Sequence, residues 1–131
     1  MSPAALRLEL VEGDYAVCRL DPGAEVSVGD GSSGGGFRSV TRTAEETSVV
    51  CPVAEVPPGA RVEAAFALLR VSGTLPFSLT GVLSGLTTAL AGAGVSVFAL
   101  STFDTDYLMV PSDMLGRAAE ALRSAGHDVS S

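Results

Sequence analysis

The stretch Leu79-Thr-Gly-Val-Leu-Ser-Gly-Leu-Thr-Thr-Ala-Leu-Ala-Gly-Ala-Gly-Val-Ser-Val-Phe-Ala-Leu100, followed by Ser101-Thr-Phe-Asp-Thr-Asp-Tyr107, decides how this chain is read. No formal charge falls between Arg70 and Asp104. Residues 79–100 are long enough to cross a bilayer. Three features oppose that reading. Ser, Thr and Gly dilute the hydrophobicity, Gly92 and Gly94 interrupt the run, and no basic cluster flanks either end to set an orientation. A helix that stops at the glycines and a strand that follows them fit better.

Working outward, Thr80 is expected to cap a helix whose apolar stripe is Val82, Leu83, Leu86, Leu90 and Ala93. Residues 95–102 read as a strand, Asp104-Thr105 as a tight turn, and residues 106–110 as a second strand. Ser112 or Asp113 opens another helix, with Leu115, Ala118, Ala119 and Leu122 on one face. Gly126 stops it, and residues 127–129 are expected to return as an edge strand with His127 facing solvent. Upstream, residues 62–71 form a further strand. The order strand–helix–strand–strand–helix–strand is that of the ferredoxin-like split βαβ. The strand at 95–100 is apolar on both faces, with Val95, Val97 and Ala99 opposite Phe98 and Leu100. Helices cover one face of such a sheet, so the other calls for a partner.

The first half is less regular. Residues 6–11 and 15–20 read as two strands joined by a hairpin at Glu12-Gly-Asp14. Residues 29–36 (GDGSSGGG) form a low-complexity loop. Residues 37–42 alternate as a strand, Thr43-Ala-Glu-Glu46 fits a capping box that opens a short helix, and residues 48–56 are strand-like up to Pro57-Pro58-Gly59. A domain cut is expected there, giving 1–60 and 61–131.

Composition bounds the function. The chain has 131 residues, 47% of them apolar and 18% charged, which argues for a packed core rather than disorder. Its eight basic residues, all arginine, meet fifteen acids for a net charge of −7. Nucleic acid and anionic membrane are poor partners for that balance. No secretory signal precedes the first strand, and the expected location is cytoplasmic. Cys18 and Cys51 are too few and too distant for a disulfide scaffold, and they read as small buried hydrophobes.

Several constellations have plain explanations. Gly29-x-Gly31-x-x-Gly34 matches a dinucleotide fingerprint, but a strand rather than a helix follows it, so a flexible loop is the better reading. His127, the single histidine, has no local metal-ligand or triad partners. Gly81-x-x-x-Gly85 is accounted for by close packing of a helix on a sheet. The set around the first long helix says more. Unpaired amides at its start, from Thr80 and Gly81 to Val82 and Leu83, can hold a carboxylate. Asp104 and Asp106, with the hydroxyls of Ser101, Thr102 and Thr105, can hold an ammonium. An amino acid carries both groups. Asp-Thr-Asp is also ordinary turn chemistry, and Ser or Thr at a helix start ordinary capping.

Phe77-Ser-Leu-Thr-Gly-Val-Leu-Ser84, Leu90-Ala-Gly-Ala-Gly-Val-Ser-Val-Phe-Ala-Leu-Ser-Thr-Phe-Asp-Thr-Asp-Tyr-Leu-Met-Val110 and Ser39-Val-Thr-Arg-Thr-Ala-Glu-Glu-Thr-Ser-Val-Val-Cys51 resemble small bacterial ACT-domain proteins. These are similar to the aspartokinase regulatory region and to CASTOR-type arginine sensors. The resemblance runs from about Leu6 to Val129 and is most specific in Ser-Thr-x-x-Thr-Asp-Tyr. It implies an α+β fold of two ferredoxin-like (βαββαβ) ACT-type units packed side by side, with an amino-acid site at a seam between units or subunits. The positions it places at that seam are Thr80 to Leu83 and Ser101 to Asp106. Where relatives often carry an acid before the Phe-Ser of the helix entry this chain has Pro76, and Phe66 stands where an aromatic, often Trp, is usual.

The expected function is therefore a non-enzymatic regulatory sensor of a small amino acid, needing no cofactor or metal and forming a homodimer. A dimerisation module without ligand is the alternative. A small enzyme using Asp104 and Asp106 lacks an oriented His or Lys partner.

Overall fold

The structure is a computed structural model, and it describes residues 5–29, 36–73 and 81–130. In chain order the strands are β1 (Arg7–Leu20), β2 (Ser39–Arg42), β3 (Thr47–Pro52), β4 (Arg61–Val71), β5 (Phe98–Ser101), β6 (Asp106–Pro111) and β7 (Asp128–Ser130). The helices are α1 (Val82–Gly92) and α2 (Leu115–Ser124), and short 3-10 turns cover Val53–Glu55 and Ser112–Met114. Among the described residues no helix is long and apolar enough to cross a membrane.

Contacts divide the chain into two units, Met1–Val11 with Ala67–Ser131, and Glu12–Phe66. This division is discontinuous. The reason lies in β1 and β4, which each run from one unit into the other. The hairpin expected at residues 12–14 does not form, and β1 continues through it. Residues 7–9 pair with β7 while residues 15–20 pair with β3, so each half of the strand has its own partner. Gly13, at φ 99°, carries the backbone irregularity that the Glu-Gly-Asp signal marks.

The larger unit has the expected order β4–α1–β5–β6–α2–β7. Its sheet runs β7–β1–β4–β6–β5, with the start of β1 standing between β7 and β4. β1 lies parallel to β7 in the register Arg7 to Asp128 and Leu8 to Val129. The alternation Leu6, Leu8, Leu10 explains the insertion: Leu8 is fully buried, and its two neighbours of the same parity pack against the core. From the sheet the core takes Leu69, Val71, Leu108, Val110 and Val129, and from the helices Leu86, Leu90, Ala118, Ala119 and Leu122. The stripe expected on α1 holds, because Leu86 and Leu90 are buried and Val82, Leu83 and Ala93 pack against them. Each fully buried leucine contributes roughly 1.5–3 kcal/mol over an exposed one.

His127 is not the solvent-facing residue that the sequence suggests. It is 8% exposed, and its Nδ1 accepts the Leu6 N–H at 3.1 Å. Insertion of β1 beside β7 brings that amide to the imidazole.

The smaller unit contains no α-helix among its described residues, so the first half is not a second βαββαβ unit. It orders β2–β3–β1 in antiparallel pairs around Ala16, Cys18, Val49 and Cys51. The helix expected from Thr43 to Glu46 is the loop of the β2–β3 hairpin. Thr43 Oγ1 accepts the N–H groups of Glu45 and Glu46, each at 3.1 Å, as a helix-capping threonine would. Thr43 N–H then donates to Glu46 O at 3.0 Å, and pairing of Arg42 with Thr47 closes the hairpin.

Candidate functional site

The site expected from the sequence draws on the start of α1 and the turn between β5 and β6. Thr80, its first residue, lies outside the described residues. Helix α1 is capped instead by Gly81, at φ 82° and without a side-chain cap. The first helical bond there runs from Gly85 N–H to Gly81 O at 2.9 Å, so the intervening amides have no acceptor within the helix. Only glycine holds that left-handed turn cheaply, and a Cβ built at Gly81 would meet no atom within 4 Å. Val82 and Leu83 give their side chains to the core, so only their amides face outward chemistry.

The turn is tightly built. Thr102 N–H donates to Thr105 O at 2.9 Å, and Ser101 pairs with Asp106 across the hairpin. The Thr102 hydroxyl adds a bond of 3.2 Å to the same Thr105 carbonyl and accepts the Thr105 N–H at 3.4 Å. Ser101 Oγ donates to Asp106 Oδ1 at 2.6 Å, which orients that carboxylate and leaves its second oxygen for another donor. Asp104 is exposed at the tip. Thr105 is 3% exposed, and its hydroxyl donates to Val71 O at 2.6 Å.

That last bond was not visible in the sequence. It fixes the turn against the end of β4, the strand from which the chain leaves for α1. Of the residues expected to bind, Asp104 and Asp106 present carboxylates and Gly81 to Leu83 present amides. Ser101 serves Asp106, while Thr102 and Thr105 hold the turn.

Among the described residues no three His, Cys, Asp or Glu side chains gather as a metal site. The two cysteines of the smaller unit are free thiols, buried and hydrogen-bonded to each other. Burial, with the neighbouring Cys18 second, pushes the Cys51 thiol up to about 12, which keeps it protonated and unreactive. In the same unit Arg38 grips Glu55 with two parallel hydrogen bonds, one of 2.7 Å from Nε to Oε1. This bond holds the Glu55 carboxyl below its usual range.

The ACT domain model matches residues 61–124, and a second family model, of an N-terminal domain, matches residues 13–59. Among solved structures, a protein of Agobacterium tumefaciens is 32% identical at a TM-score of 0.84, over 97% of this chain and 93% of that one. A Vibrio cholerae protein of unknown function, described as a possible transport protein, is 21% identical at 0.71, over 92% and 90%. The regulatory subunit of aspartate kinase from Thermus flavus is 13% identical at 0.60, over 96% and 99%, a likeness of fold. Comparison with curated proteins finds no match. With the domain match over β4 to α2, the near full-length Agobacterium relative and the β4–α1–β5–β6–α2–β7 order, the chain belongs to the family of small ACT-domain proteins.

Proposed function

We propose that this protein is a regulatory, non-catalytic sensor of a small amino acid, acting as a homodimer. The ligand's α-carboxylate lies on the amides of Gly81 to Leu83, and its ammonium goes to Asp104 or to the second oxygen of Asp106. The Thr105–Val71 hydrogen bond carries this reading, because it holds the carboxylate-bearing turn firmly against the end of β4, the strand that precedes α1 in the chain. Likeness to aspartate kinase regulatory subunits supports a regulatory role over a catalytic one. So does the commitment of the single histidine to the backbone amide of Leu6.

A second copy completes the site in this reading. Among the described residues strand β5 is the last of its sheet, and Phe98 and Ala99 on it are exposed. An uncharged edge of this kind invites pairing with another strand. Binding at such a seam couples ligand to subunit geometry. The same edge favours the alternative of a dimerisation module with no ligand.

A thermal-shift screen against the twenty amino acids separates the two. The sensor reading expects one or a few amino acids to raise the melting temperature, and expects the double variant Asp104→Ala/Asp106→Ala to lose that rise. No response to any amino acid leaves the dimerisation module, and an undiminished rise in the double variant rejects the site.

A further inference from the structure

We propose that a cavity between α2 and the sheet of the larger unit binds a small monocarboxylate with a compact apolar body. The cavity has a volume of about 230 Å³. Leu10, Leu69 and Val129 line it from the strands, and Leu115, Gly116 and Ala119 from α2. It is open to solvent on one side, where Gly116 and Arg123 are exposed, and its volume is large enough for a ring the size of benzene. Its lining offers water few of the polar partners that an ordered water needs. A ring or a branched aliphatic chain fills it better.

Two features say what else the occupant carries. Among the described lining residues Arg123 carries the only charged side chain, and Ser130 adds a hydroxyl. Its Nη2 donates to Val129 O at 2.8 Å, which holds the guanidinium in place and leaves its other donors to meet an oxyanion. Positions 116, 119 and 123 recur at helical spacing, so the charge lies on the helix face that lines the apolar wall. Among the described residues no acid lines the cavity, so an ammonium would find no partner among them and a zwitterion is disfavoured. This ligand class is therefore distinct from the amino acid assigned to the β5–β6 turn.

Gly116 is the second feature. It is the second residue of α2 and has no positive φ, so backbone conformation does not require glycine there. A Cβ at this position would meet no atom within 4 Å, so crowding does not require the glycine. Its missing side chain keeps the α2 wall of the cavity open.

Titration of the full chain with phenylacetate, followed by methyl NMR and calorimetry, tests the assignment, with 2-phenylethanol as the neutral isostere. Saturable shifts are expected at the methyls of Leu10, Leu69, Leu115 and Val129, with the alcohol at least about tenfold weaker. Gly116→Leu should abolish binding while the melting temperature holds or rises. Arg123→Gln should reduce phenylacetate to the affinity of the alcohol. Absence of saturable shifts up to about 10 mM overturns the proposal. So does equal affinity for the alcohol, or undiminished binding by folded Gly116→Leu. The variant Asp104→Ala/Asp106→Ala should bind phenylacetate normally, so failure of the amino-acid site and failure of this one are read separately.

Discussion

The hydroxyl of Thr105 donates to the carbonyl oxygen of Val71 at 2.6 Å, in a position where both residues are buried. One hydrogen bond thus fastens the β5–β6 turn to the end of β4. Thr105→Val keeps the shape and removes the donor, leaving the Val71 carbonyl without it. A loss of about 1–3 kcal/mol is expected in urea unfolding, whereas Thr105→Ser retains the donor and should recover most of it. If the turn carries the ligand's ammonium partner, Thr105→Val also weakens any amino-acid response.

Two glycines of one helix should respond to alanine with opposite signs. Gly81 sits at φ 82°, where a Cβ costs about 1–2 kcal/mol. Gly85 lies inside α1 with open space around it, and alanine there should stabilise by roughly 0.5–1 kcal/mol. Melting curves of the two variants check the pair: a fall at Gly85 would contradict its place in open space inside α1, and no fall at Gly81 would contradict the left-handed turn there.

The buried imidazole of His127 has a structural duty to the Leu6 amide. Replacing it with leucine leaves that N–H without its acceptor, at a cost of about 1–3 kcal/mol. Hydrogen exchange at Leu6, just ahead of β1, should accelerate by more than at the amides of β1. Uniform acceleration along the strand would instead mean that the side chain matters only for packing.

Stability should fall at both ends of the pH scale, from separate groups of the smaller unit. The Glu55 carboxyl is held below its ordinary 4.5 by Arg38, so its contribution is present above that value and fades as pH drops beneath it. The Cys51 thiol is raised from 9.0 to about 12 chiefly by burial. The unfolded chain therefore loses its proton first, and stability declines as pH rises from 9 toward 12. Urea midpoints at acid, neutral and alkaline pH test this. Glu55→Gln should flatten the acid limb and Cys51→Ala the alkaline one.

What the sequence made legible follows physical range. Both helices of the larger unit were readable because their stripes repeat at three and four residues, and the β5–β6 turn because Asp-Thr-Asp is local chemistry. Glu12-Gly-Asp14 and Thr43-Ala-Glu-Glu46 misled for the same reason. Their local preferences are real, down to the hydrogen bonds that Thr43 makes, but strand pairing decides what they become. Burial of His127 depends on a strand 121 residues away, and nothing near residue 127 announces it. At the candidate site the carboxylates and the helix amides were legible as residues. The anchoring of the turn through Val71 and Thr105 was not.

The place of β1 between β7 and β4 also governs when the larger unit can be completed. Arg7 to Glu9 acquire their parallel neighbours only after Asp128 to Ser130 have been synthesised. Until then a strand bearing Leu6, Leu8 and Leu10 waits with its apolar side uncovered, although residues 12–66 already contain the partners of their own hairpin. Such distant pairing slows closure and lengthens exposure to self-association. A chain shortened before Asp128 would leave that waiting strand permanently unpaired on the β7 side, so fragments lacking the last strand should aggregate during expression.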